Sequence, residues 1–223
     1  MTGRLLIVLA VVGSSLLSFL RADDTPQRLK LPAVDSAVIE AIQRRPTLSV
    51  TRRESPFVAH PQIYDWLLNH PDRVSLAWHR MGVPCLKIPA QTNGEYSWAD
   101  PRGSVMTWRV ISRTEQRIVW YATGQVKPAA LMPAIPVQAV ATLESPRRQR
   151  NDGSVEISPI LRVDFATESR AASAILRMLG PAVPHLAEQG AAQILLFFSG
   201  PARYLHHYPE RIPQLLASAL TEE

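Results

Sequence analysis

The feature that most constrains the fold is a long run of alternating apolar and polar residues in the middle of the chain, from residue 86 to residue 165. A period of two is typical of β-strands, whose successive side chains point to opposite faces of a sheet. Turn-forming residues interrupt the alternation at Asn93-Gly94, Asp100 to Gly103, Thr114-Glu115 and Asn151 to Gly153. Short turns join antiparallel neighbours, so this region predicts an antiparallel meander of about five strands.

The regions on either side of the meander have a helical period. Two segments open with His-Pro, at His60 and His70, and proline suits the first turn of a helix. A further helix is predicted after Thr167, and a later apolar stripe at four-residue spacing predicts a helix packed on an apolar surface. The stripe consists of Leu186, Gly190, Ile194 and Phe198. We therefore expect an α+β fold, with a curved antiparallel sheet flanked by N-terminal and C-terminal helices, as one domain over residues 60 to 223.

The first 22 residues have the pattern of a secretory signal peptide. Arg4 precedes an apolar run from Leu5 to Leu20, which is slightly shorter than the roughly 20 residues that span a bilayer. We expect cleavage after Ala22 and export to the periplasm or the medium, and an uncleaved N-terminal membrane anchor is the alternative. Residues 23 to 59 are predicted to form a linker and a short amphipathic leader helix.

Composition excludes several classes of function. The net charge of +5 falls to +3 without Arg4 and Arg21, which is too mild to indicate nucleic acid binding. Cys85 is the only cysteine, so no disulfide can form within the chain, and we expect it to be a buried apolar residue. His60, His70 and His79 lack the spacing and the carboxylate of a helical zinc site, so neither a metal nor a cofactor is predicted.

The turns also predict which strand residues face each other. A loop at Thr114-Glu115 pairs Trp108 with Tyr121 and places Arg109 opposite Trp120. The turn at Asp100 to Gly103 pairs Trp98 with Val105. Paired residues point to the same side, so one face is predicted to carry Tyr96, Trp98, Arg109 and Trp120.

These four residues are the predicted ligand-binding residues. Arg109 is a permanent cation on an apolar face, and burying it without a partner costs several kcal/mol. One interpretation is structural: Arg109 lies across the aromatic rings or pairs with an acid such as Asp164. The other is functional, namely an aromatic pocket whose arginine binds a carboxylate or an anionic headgroup. Both sheet faces are apolar, so we expect the C-terminal helix to cover one and the early helices around Trp66 and Trp78 to cover the other.

No nucleophile, metal-binding or phosphate-binding motif occurs in the sequence, so no catalytic residue is assigned and a binding role is favoured over an enzyme. The order of helices, antiparallel meander and long C-terminal helical segment, over about residues 60 to 200, resembles the helix-grip (START-like) lipid-binding superfamily. It is similar, more loosely, to periplasmic lipid carriers with a cone-shaped α+β fold. The resemblance implies a lipid-like ligand.

The leading hypothesis is an exported binding or carrier protein for an apolar or amphipathic anionic small molecule, held between the sheet and the helices. The alternative is an interaction subunit of a cell-envelope assembly, whose aromatic face is covered by a protein partner. A hydrolase is the third hypothesis.

Overall fold

The computed structural model of the chain describes residues 36–89, 94–101, 103–127, 133–167, 180 and 182–216. The predicted signal peptide, the linker after it and the predicted helix after Thr167 lie outside these residues. Among the described helices, none is both long and apolar enough to cross a bilayer.

Helices lie at both ends of the described part of the chain, and seven of the nine described strands follow one another between them. The helices are α1 (Ser36–Arg44), α2 (Pro61–Asn69), α3 (Pro71–Arg80), α4 (Ala182–His207) and α5 (Ile212–Leu216), with a 3-10 turn at Pro209–Arg211. The strands are β1 (Leu48–Arg53), β2 (Phe57–Val58), β3 (Glu95–Ala99), β4 (Val105–Arg113), β5 (Arg117–Val126), β6 (Ile135–Glu144), β7 (Arg147–Gln149), β8 (Val155–Ile157) and β9 (Ile160–Ala166).

The strands form two sheets, which confirms the α+β class. The large sheet has six strands in the order β1-β9-β6-β5-β4-β3, and the small sheet has three in the order β2-β8-β7. Every pairing is antiparallel. The large sheet thus has one strand more than the predicted five or so. Its extra member, β1, comes from the segment before residue 60 that the sequence assigned to a linker and a leader helix.

The two His-Pro helices are confirmed. Proline occupies the first turn of both α2 and α3, and His70 is at once the C-cap of α2 and the N-cap of α3. The His70 ring stacks on Trp66 at 4.2 Å, and its Nδ1 lies 2.7 Å from the Trp66 carbonyl oxygen. His70 therefore has a local structural role at the junction of the two helices.

One face of the large sheet, here called the inner face, carries the main core. Ile118, Trp120, Leu161 and other inner-face residues pack with α2, α3 and α4 in a single buried cluster. The early helices and the C-terminal helix thus lie on the same side, which corrects the expectation that they cover opposite faces.

The opposite, outer face is covered in part by α1. Ile42 is buried against Val119, Tyr121 and Val140, with Ile39 beside it. The remaining outer-face positions of β1, β9 and β6 are mostly polar. The leader helix therefore has the role that was predicted for α2 and α3, because its two isoleucines fall on one helical face.

A close contact between Trp78 of α3 and the middle of α4 fixes these helices against each other. Proline at position 201 has no N–H for the carbonyl of Phe197 one turn earlier, and the indole Nε1 of Trp78 donates to that oxygen at 3.0 Å. A Cβ on Gly200 would lie 2.5 Å from two carbons of the Trp78 ring. Glycine is therefore required at position 200 by the approach of the indole.

We predict that Gly200→Ala destabilises the protein. Alanine has the better helix propensity by about 1 kcal/mol, but overpacking a core typically costs about 1–3 kcal/mol, so the expected net loss is on the order of 1 kcal/mol. Urea denaturation measures it. Glu188→Ala, at an exposed position of the same helix, is the control and should change stability by less than about 0.5 kcal/mol. A Gly200→Ala protein as stable as the wild type would contradict the contact.

Candidate functional site

The first hairpin differs from its predicted register by one residue. The Asp100 N–H donates to the Ser104 carbonyl oxygen at 2.9 Å, and the Asp100 Oδ1 accepts the Ser104 N–H at 2.9 Å. The loop therefore has three residues instead of four, and Trp98 pairs with Met106, not with Val105. A shift of one residue exchanges the two faces of the partner strand.

The second hairpin is irregular as well. The Thr114 N–H donates to the Arg117 carbonyl oxygen at 2.7 Å, so the loop consists of Glu115 and Gln116. Farther from the loop, β4 has a bulge between Val110 and Ser112. Beyond the bulge, Trp120 pairs with Val110, and Arg109 pairs with Tyr121. Each hairpin is shifted by one residue from its predicted register, so β3 and β5 keep the relative register that was predicted. Only the side chains of β4 point to the faces opposite to those predicted.

As a result, the structure brings together three of the four predicted ligand-binding residues and separates the fourth. Tyr96, Trp98 and Trp120 share the inner face, whereas Arg109 points to the outer face. Arg109 Nη1 lies 3.8 Å from Glu95 Oε1, and Glu95 is buried. Arg109 is thus ion-paired with an acid, as in the structural interpretation, but the acid is Glu95. Asp164, the acid named from the sequence, pairs with Arg162.

Two of the three aromatic residues on the inner face, Trp120 and Tyr96, have contacts with the protein's own helices. Trp120 is buried, and its ring stacks on Phe198 of α4 with 6.0 Å between centroids and 4° between planes. Tyr96 is half-buried, its hydroxyl donates to the Asn69 carbonyl oxygen at 2.8 Å, and burial raises its pKa. Phe198 thus fills the space between β5 and α4 at Trp120.

A cleft of about 400 Å³ lies elsewhere, between the small sheet and the C-terminal half of α4. Small-molecule sites usually measure about 300–1,000 Å³. We call it the α4 cleft, and its lining combines an apolar side with several basic side chains. The lining residues are Pro56, Phe57, Val58, Arg150, Asp152, Ser154, Arg203, His206 and His207.

Arg203 is held in the wall of the α4 cleft by contacts on two sides. Its Nη2 donates to Glu54 Oε1 at 2.5 Å, and its guanidinium carbon lies 4.7 Å from the centre of the Phe57 ring. Glu54 Oε1 also accepts from the buried Ser199 hydroxyl at 2.7 Å. The Arg203 side chain keeps 38% of its surface exposed, and Nη1 makes no hydrogen bond to the described part of the chain. It can therefore donate to a ligand from a fixed position.

The remaining charged residues of the α4 cleft are Arg150 and Asp152, which lie beside two histidines. Arg150, His206 and His207 are exposed around it, and the His207 Nδ1 lies 2.8 Å from the Arg203 carbonyl oxygen. Asp152 is the one acid among the lining residues. The side chain and then the backbone N–H of Ser154 hydrogen-bond to its carboxylate, which lowers its pKa. With the histidines neutral, the two arginines and one acid leave the lining with a net charge of +1, so it fits an anion better than a cation.

Sequence reasoning predicted none of the residues of the α4 cleft as ligand-binding residues. It missed Arg203, Glu54 and Phe57, because Glu54 and Arg203 are 149 residues apart and no local pattern joins them. The one available signal was the spacing of Ser199 and Arg203, which places both on one face of a helix. Within the described residues, no group of three histidine, cysteine or acidic side chains is arranged to hold a metal ion.

The first prediction at this site concerns the Glu54–Arg203 pair. We expect a double-mutant cycle of Glu54→Gln and Arg203→Gln to give a coupling energy of about 1 to 2 kcal/mol, between the values of exposed and buried pairs. Urea denaturation of the four proteins measures it. Arg148 and Glu156, a more exposed pair at 3.1 Å, form the control cycle, with an expected coupling below about 0.5 kcal/mol. Additive effects of the Glu54 and Arg203 substitutions would show that Glu54 does not hold Arg203.

A separate prediction concerns Cys85, which lies outside the α4 cleft and is half-buried against the main core instead of fully buried as expected from the sequence. Burial raises the pKa of its thiol to about 11, opposed by hydrogen bonds from Ser75 and the backbone of Leu86. At pH 8 about one thiol in a thousand would be ionised in the folded protein, against about one in four in an unfolded chain. Alkylation by iodoacetamide, followed by mass spectrometry, should be about a hundredfold slower in the folded protein than in urea. Equal rates would contradict the burial of the thiol.

Comparison with known proteins assigns this chain to no family. No protein-family model matches the chain, and no curated protein matches it. A conserved protein from Geobacillus kaustophilus is 12% identical with a TM-score of 0.46, covering 72% of this chain and 98% of its own. Hypothetical protein jhp0584 from Helicobacter pylori is 13% identical with a TM-score of 0.45, covering 82% of this chain and 100% of its own. Likenesses this distant, with TM-scores below 0.5, show neither a family nor a function for this chain.

Proposed function

We propose that the protein is an exported binding protein for a small amphipathic anion, which it holds in the α4 cleft. The observation that carries this proposal is Arg203, fixed against Phe57 and Glu54 in the wall of a cleft large enough for a small molecule. Export rests on the apolar run from Leu5 to Leu20 after Arg4.

The α4 cleft can recognise the two ends of an amphipathic anion separately. The guanidinium of Arg203 presents donors that match a carboxylate or a phosphate, and Arg150 adds a second positive charge. Phe57, Pro56 and Val58 give the same space an apolar side, against which a hydrocarbon tail would lose contact with water. The ion pair with Glu54 keeps Arg203 from folding back into solvent, so less conformational entropy is lost when a ligand binds.

The proposal keeps the class of ligand expected from the sequence and moves its site. The anionic end is assigned to Arg203 because Arg109 is paired with Glu95 on the outer face. The apolar end is assigned to Phe57 because the rings of Trp120 and Phe198 stack on each other between the sheet and α4. The resemblance to helix-grip lipid-binding proteins, in the order of elements, supports an amphipathic ligand.

We predict that octanoate binds the protein and that Arg203→Gln weakens its binding by about tenfold or more, because a charge-assisted hydrogen bond is lost. Octanol, which has the same tail without the charge, should bind more weakly than octanoate and be little affected by the substitution. Isothermal titration calorimetry of the chain from residue 23 onward measures both ligands.

The matched control is Arg211→Gln, which removes the same charge from an exposed position outside the α4 cleft. It should leave octanoate binding within about twofold of the wild type, because distant surface charges are screened by salt. Equal weakening by the two substitutions, or no binding of octanoate to the wild type, would overturn the proposal. Circular dichroism spectra of each variant ensure that a folding defect is not counted as a binding defect.

A further inference from the structure

A second concave surface lies on the outer face of the large sheet, next to the part that α1 covers. It encloses about 370 Å³ and is lined mostly by polar and charged side chains from four strands and from α1, with one apolar residue, Ile160. We call it the outer groove. Its polar and charged lining residues are Gln43, Thr51, Arg117, Thr142, Glu144, Arg162 and the buried Asp164.

The strand register explains how these side chains meet. Thr51, Arg162 and Thr142 face one another in a row across β1, β9 and β6, and Glu144 and Arg117 face each other in the next row on that face. Arg162 and Arg117 lie on strands that are separated by β6 and in neighbouring rows of the same face, so their backbones are about 12 Å apart. Two arginine side chains at this separation can reach one small molecule lying over β6.

Arg162 is fixed by a buried acid while its terminal nitrogens stay available. Its Nε donates to both carboxylate oxygens of Asp164, at 3.1 and 2.9 Å, and Asp164 is only 2% exposed. The Ser49 hydroxyl donates to Asp164 Oδ1 at 2.6 Å. Because Arg162 uses only Nε, its two Nη atoms make no hydrogen bond to the described part of the chain, and 52% of the side chain is exposed. Asp164 therefore acts as a positioning residue for Arg162.

The outer groove also holds one free charge of each sign. Arg117 and Glu144 are cross-strand neighbours, but neither side chain makes an ion pair or a hydrogen bond within the described residues. The lining thus offers two guanidinium groups, one unpaired carboxylate and the hydroxyl groups of two threonines. Glu144 and Asp164 disfavour a simple anion, and the two arginines disfavour a simple cation.

We propose that the outer groove is a binding site for a small zwitterion, with the chemistry of a free amino acid or a dipeptide. The ligand carboxylate binds Arg162 and Arg117, and its ammonium group binds Glu144. Thr51, Thr142 and Gln43 provide hydrogen bonds to the backbone between the two charges. This site is independent of the α4 cleft, since the two share no lining residue.

The test uses the dipeptide Ala-Ala and two capped forms, each of which lacks one charge. N-acetyl-Ala-Ala has no ammonium group, and Ala-Ala amide has no carboxylate. Binding to the chain from residue 23 onward is followed by nuclear magnetic resonance titration, and the shifted amide signals locate the site. We expect Ala-Ala to bind at millimolar or lower concentration and each capped form to bind about tenfold more weakly, because each loses one charge-assisted contact.

Substitutions of the two exposed charges assign the contacts. Arg117→Gln should weaken Ala-Ala about tenfold without affecting Ala-Ala amide, and Glu144→Gln should abolish the preference for Ala-Ala over N-acetyl-Ala-Ala. Arg45→Gln, at an exposed position outside the outer groove, should leave Ala-Ala binding unchanged. Failure of Ala-Ala to shift signals of β5, β6 and β9, or equal affinities for the three peptides, would overturn the proposal.

Discussion

The docking of α4 on α3 through Trp78 is the contact on which the arrangement of the inner face depends. Pro201 interrupts the hydrogen-bond ladder of α4, and the carbonyl of Phe197 would otherwise be a buried acceptor without a partner, at a cost of about 1–3 kcal/mol. The Trp78 indole satisfies that oxygen, and Gly200 leaves room for its ring. A proline that would destabilise most helices is thus tolerated here because another helix supplies the missing donor.

This contact also determines where the polar end of α4 lies. Ser199 and Arg203 follow the Trp78 contact on the same helix, four residues apart, and both meet Glu54 just after β1. The α4 cleft is formed where this part of α4 passes the short strand β2, and Phe57 of β2 lies under the guanidinium of Arg203. The position of the proposed anion-binding arginine therefore depends on α4 keeping its docked orientation.

The sequence predicts the classes of element well because they follow from local patterns. The period-two alternation identifies the meander, the His-Pro pairs start α2 and α3, and the stripe ending at Phe198 lies in α4. The register of the β3–β4 and β4–β5 pairs was predicted wrongly, because register depends on single backbone hydrogen bonds in the turns. The bond from Asp100 to Ser104 and the bulge after Val110 each shift the pairing by an odd number of residues, and together they move Arg109 to the outer face. The contact of Glu54 with Arg203 could not be predicted either, because only the tertiary fold brings these distant segments together.

The most direct test of the proposed function is a crystal structure of the protein grown with octanoate. A ligand in the α4 cleft, with its carboxylate within hydrogen-bond distance of Arg203 and its hydrocarbon chain on Phe57, is the result expected here. Octanoate bound between the sheet and the helices beside Trp98, with Arg203 making no contact to it, would contradict the assignment.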